Sequence, residues 1–310
     1  MPDFDILLQQ ILNGLVLGSV YALVALGYTM VYGILQLINF AHGEVLMVGA
    51  MVGVTVISAL GGAGLPGPAL LLLAIGAAIP ACIALSLFIE RVAYRPLRHA
   101  PKLAPLITAI GVSIVIQTLA MIVWKPNPIV FPDLLPTDPV RIGGAVLAPK
   151  QLLILGVSAL MMAGLMLLVN RTRLGRAMRA TAENPRIAGL MGVNANRVIA
   201  ATFAIGAALA AVAGVLVAMN YNIAQFSMGF IPGLKAFTAA VLGGIGNLAG
   251  AVVGGLLLGL IESLGAGYIG DITGGFLGSH YQDIFAFVVL IAVLVLRPSG
   301  IMGERVADRA

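Results

Sequence analysis

The sequence predicts an all-α protein, a polytopic transmembrane helical bundle of about eight membrane segments that include a glycine-broken, re-entrant pair. Its composition is 60% hydrophobic and only 9% charged, whereas an ordinary soluble domain is about 45–50% apolar and about 25% charged. A soluble fold with so few polar groups could not cover its surface, but a bilayer accepts apolar surface. The apolar residues also form runs of roughly 20, the length that crosses a bilayer core as a helix. We therefore treat residues 1–310 as a single transmembrane domain.

The apolar runs define the predicted membrane helices. The longer runs cover residues 11–32, 67–89, 103–124, 151–169 and 198–219. Two shorter runs, 45–60 and 281–296, are also predicted to be membrane helices. No Lys or Arg precedes the first run, which is unlike the basic start of a cleaved signal peptide. The first run is therefore expected to be a retained span.

Basic residues predict the orientation of the bundle, because cytoplasmic loops of membrane proteins are enriched in Lys and Arg. They concentrate in two loops and in the C-terminal tail. The first loop contains Arg91, Arg95, Arg98 and Lys102, and the second contains Arg171, Arg173, Arg176, Arg179, Arg186 and Arg197. The tail contains Arg297, Arg305 and Arg309. Two predicted spans separate the two loops, so both loops lie on one side, the cytoplasm. The connector 125–150 then faces outward.

The run 233–264 is apolar but interrupted by glycine. With a cytoplasmic tail, this run must start and finish outside, which two half-length helices meeting at Gly243, Gly244, Ile245, Gly246 and Asn247 would satisfy. Broken helices of this kind often mark a substrate path in transporters. The alternative is that the glycines only allow close helix packing. We predict close packing for the small-residue spacings Gly250/Gly254, Gly255/Gly259 and Gly206/Ala210/Gly214.

Residues 175–194, GRAMRATAENPRIAGLMGVN, carry the signals that start and stop a helix. Asn184 is a suitable N-cap, Pro185 suits the first helical position, and Gly192 can adopt the left-handed conformation that ends a helix. A short helix this size is marginal in water and needs a surface to pack on. Ile187, Leu190 and Met191 form one apolar stripe on it.

Three surfaces could receive that stripe: a groove of a partner protein, the lipid headgroups, or the chain's own membrane domain. No Trp or Phe is present to anchor the helix in lipid. The flanking Arg residues favour a partner groove with an acidic rim.

Four stretches together resemble the branched-chain amino-acid ABC-importer permeases of the LivH type. They are the 175–194 loop, GILQLINFAHG at 33–43, TFAIGAALAAVAG at 202–214 and GLKAFTAAVLGGIGNLAG at 233–250. The resemblance implies a permease domain in the bacterial cytoplasmic (inner) membrane that pairs with a second, similar permease. Two ATPase subunits would bind its cytoplasmic face, and a periplasmic binding protein would deliver the substrate. The family's relatives include urea and short-amide importers, which leaves the cargo open.

The resemblance also implies candidate site residues. Residues 171–197 would form a cytoplasmic coupling loop, whose candidate ATPase-contacting residues are Gly175, Arg176, Arg179, Glu183, Asn184, Pro185, Ile187, Leu190, Met191 and Gly192. Candidates for the translocation path or its gate are Asn39, His42, Glu44, Gly243, Gly244, Gly246 and Asn247. Ionisable residues at membrane depth are functional candidates by default. The alternative is that His42 and Glu44 pair locally and cap the second helix.

The sequence lacks the motifs that are typical of several other functions. No Gly-x-x-x-x-Gly-Lys-Ser/Thr run occurs, so we expect no enzyme activity and no cofactor. His42, His99 and His280 lie in separate segments without metal-ligand spacing, and the basic residues lack the aromatic interleaving of nucleic-acid binders. An ion-coupled secondary transporter, which would need paired acids near the midplane, and a subunit without a pore stay as alternatives.

Overall fold

The computed structural model describes residues 2–98, 100–101, 103–136, 138–142, 144–274, 282–297 and 299–303. His99, Lys102, His280, Tyr281, Arg305 and Arg309 lie outside these ranges. The helices in the described part are α1 (Pro2–Leu35), α2 (His42–Leu60), α3 (Gly67–Ile89), α4 (Leu103–Trp124), α5 (Pro149–Arg171), α6 (Arg173–Glu183), α7 (Pro185–Leu190), α8 (Ala195–Tyr221), α9 (Phe230–Gly243), α10 (Leu248–Ile272) and α11 (Gln282–Leu296). A π-helix (Glu90–Tyr94) and a 3₁₀ turn (Arg95–Leu97) extend α3.

The predicted polytopic helical bundle is confirmed. Seven helices of the described part are long and apolar enough to cross a membrane, namely α1, α2, α3 with its extension, α4, α5, α8 and α10, while α9 and α11 are shorter apolar helices. The predicted runs 67–89 and 103–124 coincide with α3 and α4. The predicted run 11–32 is shorter than the helix that contains it, because α1 extends from Pro2 to Leu35 and has 34 residues.

Four short strands, which the sequence analysis did not predict, organise the loops at one end of the bundle. They are β1 (Ile129–Val130), β2 (Val140–Ile142), β3 (Ala145–Leu147) and β4 (Ile223–Ala224). β1 pairs with β4 and β2 pairs with β3, both antiparallel. We call this end, which contains the 125–148 connector, the connector end. The opposite end, which contains residues 171–197, is called the coupling end.

Side-chain contacts assign the helix termini to these two ends. At the connector end, Gln9 of α1 donates to the carbonyl of Val146 at 3.1 Å and accepts from the Val146 N–H at 2.8 Å. At the coupling end, Arg98 after α3 donates to Asn196 of α8 at 2.6 Å. The α1 helix therefore begins at the connector end. The two basic loops lie together at the opposite end, as the sequence analysis predicted.

Glycine contacts hold the central helices together, and the predicted close packing is confirmed. The α1 and α10 helices run antiparallel: a Cβ on Gly14 or Gly18 would meet the backbone of Leu260 or Leu256, and one on Gly255 would meet Ala22. A Cβ on Gly214 would likewise meet the backbone of α2. Such contacts let helix backbones approach closely in the absence of a hydrophobic driving force within lipid. They place α1, α2, α8 and α10 at the centre of the bundle, while α3, α4 and α5 expose apolar side chains outward.

The predicted break at Gly243–Asn247 is present, but the prediction of two half-length helices is wrong. The α9 helix has 14 residues and ends at Gly243, and Gly244 then adopts a φ of +108°, which a residue without a Cβ accepts readily. The α10 helix, however, has 25 residues, about 38 Å at 1.5 Å per residue, which is long enough to cross the whole membrane. It continues past Leu264 because the following residues remain apolar or small.

Candidate coupling surface and translocation path

The short helix α7 has the caps that the sequence predicted. The Asn184 side-chain oxygen accepts hydrogen bonds from the backbone N–H groups of Arg186 at 3.0 Å and Ile187 at 3.1 Å. Pro185 occupies the first helical position. Gly192 has a φ of +84°, the left-handed conformation that ends the helix. The predicted helix is therefore confirmed at both ends.

The apolar stripe of α7 points away from the bundle. Ile187, Leu190 and Met191 are 58%, 83% and 80% exposed. Ala188, on the opposite face of α7, is buried, and its carbonyl accepts a hydrogen bond from the Val193 N–H at 3.0 Å. The stripe therefore does not fold back onto the described part of the membrane domain.

The helix α6, which precedes α7, was not predicted from the sequence. Its N-cap is Thr172, whose hydroxyl accepts from the Gly175 N–H at 3.1 Å. Met178 and Thr181 are buried, and a Cβ on Gly175 would meet the backbone of Val169 at the end of α5. The available sequence signal was Thr172, a residue type that commonly caps the N-terminus of a helix.

The remaining candidate coupling residues belong to α6 or its junction with α7. Arg179 donates to the Val169 carbonyl, which ties α6 to α5. Arg176, Glu183 and Arg186 are exposed, and they lie on the same end of the bundle as the stripe. The α6 helix, which is held against the end of α5 by these contacts, thus places charged residues around α7.

Replacing the N-cap of α7 tests how this helix is held. Asn184→Ala removes the acceptor for two backbone N–H groups and should destabilise α7 by about 1 kcal/mol. We expect the amides of residues 186–190 to exchange with deuterium about fivefold faster. Hydrogen exchange followed by mass spectrometry of the full chain in nanodiscs measures this. Asn184→Ser, which retains a capping oxygen, should exchange at the wild-type rate; equal acceleration in both variants would contradict the cap.

The candidate path residues Asn39, His42 and Glu44 are all buried, but they contact different helices. Asn39 accepts a hydrogen bond from the Tyr94 hydroxyl at 2.7 Å, and Glu44 accepts one from Ser113 at 3.0 Å. His42 packs with its ring 5.0 Å from that of Tyr28, beside Gly27. The alternative of local capping is wrong, because Ala41 is the N-cap of α2 and makes no side-chain cap.

The glycine break lies elsewhere, at the coupling end. The Ile301 and Met302 N–H groups donate to the carbonyls of Leu242 and Gly243, each at 2.9 Å. Asn247 donates to the Met302 carbonyl at 2.9 Å. The His42 ring lies beside Gly27 of α1, whereas Gly246 of the break lies nearest Gly33, about 9 Å further along α1. The structure thus does not bring the two groups of predicted path residues together.

A cavity of about 760 Å³ opens toward the connector end, between α1, α8 and α9. Its walls are mainly apolar and include Val20, Val217 and Met228. The polar lining residues include Gln117 of α4, Lys235 of α9, Asn220, Gln225 and Ser227. None of the residues that the sequence analysis proposed for the path lines this cavity. Volumes of about 300–1,000 Å³ are typical of small-molecule sites.

A buried ion pair lies at the inner wall of this cavity. The Lys235 ammonium is 2.5 Å from a Glu262 carboxylate oxygen and 3.4 Å from the Tyr21 hydroxyl. Lys235 is 5% exposed and Glu262 is 1% exposed. The sequence analysis did not select Lys235. A lysine inside the apolar run 233–264, with an acid 27 residues later, was the available signal.

Aromatic rings pack between the ion pair and the coupling end. The Phe237 ring, two residues beyond Lys235, is 6.0 Å from that of Tyr28 and 5.4 Å from that of Phe40. Tyr28 in turn contacts His42. The buried residue His42 therefore belongs to the ring cluster that lies beneath the cavity.

The chain matches a family model described as the branched-chain amino acid transport system permease component, over residues 10–294. The chain belongs to this family. Among curated relatives, the high-affinity branched-chain amino acid permease protein BraD of Pseudomonas aeruginosa is 49% identical over 98% of both chains. LivH of Escherichia coli K12 is 45% identical over 97% of both chains. No solved structure shows a significant match.

Membership agrees with the resemblance that the four motifs gave and extends it along nearly the whole chain. A probable branched-chain amino acid permease protein LivH of the archaeon Methanocaldococcus jannaschii is also similar, at 30% identity over 95% of this chain and 92% of its own. As a permease component with seven candidate spans in its described part, the chain is a multi-pass membrane subunit.

Proposed function

We propose that this chain is the membrane-spanning permease subunit of an ATP-driven importer for branched-chain amino acids. The assignment of branched-chain amino acids as the cargo is supported by two relatives that are named for that transport and that match this chain over nearly their whole length. The exposed apolar stripe of α7 carries the proposal of ATP coupling, because a short capped helix with three apolar side chains in water needs a partner.

The proposed assembly contains this chain, a second homologous permease, two ATPase subunits and a periplasmic substrate-binding protein. The coupling end lies in the cytoplasm and binds the ATPases, since Arg residues crowd that end. The connector end faces the periplasm of the inner membrane and receives substrate from the binding protein. Closure of the ATPases would move α7 and, through the Arg179 contact, the end of α5.

The proposed path begins in the cavity at the connector end and passes the ring cluster. Asn39, His42 and Glu44 are proposed as gating residues, because they tie the start of α2 to the α3 extension, α1 and α4. Movement of these helices would therefore reach the rings beneath the cavity. Gly243, Gly244, Gly246 and Asn247 are proposed to let α9 and α10 meet at the inner end of the path.

Reconstitution tests the proposed function. The chain, its partner permease, the two ATPases and the binding protein are placed in proteoliposomes, and uptake of radiolabelled leucine is followed. We expect uptake that requires both ATP and the binding protein, with urea not transported. Uptake of leucine by the chain alone, driven by a proton or sodium gradient, would instead establish the secondary-transporter alternative.

A further inference from the structure

We propose that Lys235 and Glu262 form a subsite for the zwitterionic head group of the transported amino acid, an inference that rests on the proposed function. In this subsite the substrate carboxylate pairs with the Lys235 ammonium. The substrate ammonium pairs with Glu262. When substrate leaves, the two side chains pair with each other again, as the structure shows them.

The position of the pair supports a substrate contact. Lys235 lines the cavity, whereas Glu262 lies behind it at 1% exposure. The cavity therefore presents a cationic group beside the Tyr21 hydroxyl at its inner wall, and apolar side chains such as Val20, Val217 and Met228 line the rest of it together with a few neutral polar groups. A small molecule with a charged end and an aliphatic remainder matches this arrangement of groups.

A structural role alone accounts poorly for the pair. Buried ion pairs are costly to desolvate, and apolar replacements of similar volume are often equally stable. The α9 and α10 helices are already held together by close backbone contact, since a Cβ on Gly254 would meet Ala239 and one on Gly243 would meet Gly250. The pair is therefore not needed as the link between these two helices.

The second carboxylate oxygen of Glu262 supports the exchange of partners. This atom, Oε2, is buried and makes no hydrogen bond within the part of the chain that the structure describes. A buried acceptor without a donor is costly, which makes it a receptive site for an incoming ammonium group. The pair is thus incompletely satisfied without a ligand.

Charge balance explains why a zwitterion fits this subsite. The pair is neutral and an amino acid is neutral, so the exchange converts one internal ion pair into two pairs with the substrate. No charge is left buried without a partner, either before or after binding. A neutral amide such as urea offers neither charge, and a simple carboxylate or amine would leave one side chain unpaired. The exchange thus favours amino acids without requiring tight binding.

Thiol labelling of the full chain in nanodiscs tests the subsite directly. Ser227→Cys places a thiol on the cavity wall, and the wild-type chain is the control because its one cysteine, Cys82, is fully buried. With leucine at about ten times its dissociation constant, labelling by a charged methanethiosulfonate should slow about tenfold. Leucinamide and 4-methylpentanoate, which each lack one charge, should not protect at that concentration. Equal protection by either compound would overturn the proposal.

A neutral double variant separates the subsite from a structural link. Lys235→Met with Glu262→Gln removes both charges at nearly constant volume, so no unpaired charge remains buried. We expect the assembled complex to keep ATPase activity stimulated by loaded binding protein, while leucine uptake falls at least about tenfold. Leucine should also no longer protect the thiol in this background.

The outcomes distinguish the inference from the function on which it rests. Wild-type levels of uptake in the neutral double variant would overturn the subsite and leave the proposed function intact. Absence of ATP-driven leucine uptake by the wild-type complex would overturn the proposed function. The thiol-labelling experiment uses the chain alone and needs none of the proposed partner subunits. Its result therefore tests the subsite independently of the proposed function.

Discussion

Ile187→Asp together with Leu190→Asp should abolish binding of the ATPase subunits while the permease still inserts and folds. Both side chains are more than half exposed on α7 in the isolated chain, so their replacement should leave the fold of the permease intact. Burying a Leu or Ile side chain at an interface contributes about 1.5–3 kcal/mol, and an aspartate in its place adds an unpaired buried charge. Two such changes should weaken association at least about a thousandfold.

Copurification of the ATPases with tagged permease measures this effect, and ATP-dependent leucine uptake provides a second readout. The matched control is Val130→Asp with Val146→Asp, two exposed apolar positions on strands at the connector end. We expect this control to retain the ATPases fully. ATPases that copurify undiminished with the α7 variant would show that α7 is not the docking helix.

Replacement of Gly255 by leucine should prevent the bundle from folding. A Cβ at this position would meet the backbone of Ala22, where α1 and α10 cross. Backbone atoms cannot move aside as flexible side chains can, so the two central helices would have to separate. Overpacking in a well-packed core costs typically 1–3 kcal/mol, and a clash with backbone should reach at least about 3 kcal/mol.

The measurement is the yield of monodisperse protein after detergent extraction, together with its melting temperature. Gly156→Leu on α5 is the matched control, because a Cβ on Gly156 meets no atom within 4 Å. This variant also places leucine in the middle of a membrane helix, and we expect wild-type yield and melting temperature. Similar losses in both variants would show that the α1–α10 contact is not the cause.

Parts of the candidate site were predictable because their signals are local in the sequence. The caps of α7 depend on Asn184, Pro185 and Gly192, which act on backbone groups within a few residues of themselves. The break after Gly243 was predictable for the same reason, since consecutive glycines weaken a helix. The helix α6 was not predicted, because its buried residues Met178 and Thr181 lie among many charged residues and form no recognisable apolar run.

The contacts of the buried polar residues were not predictable. Asn39, His42 and Glu44 were chosen as a group, but each side chain contacts a different helix. Lys235 and Glu262 are 27 residues apart, and no local pattern links them. Their pairing follows from the turn at the glycine break, which brings α9 against α10.

The sequence by itself determined six of the seven candidate spans of the described part, all but α10, and the position of the short capped helix α7, because apolar run length and capping chemistry are local properties. Only the tertiary structure decided which helices form the centre, where the cavity opens and which charges meet. Membrane helices are apolar on nearly every face, so periodicity does not show which face meets a neighbour. Close contacts at glycines distant in sequence, such as Gly18 and Gly255, set those arrangements instead.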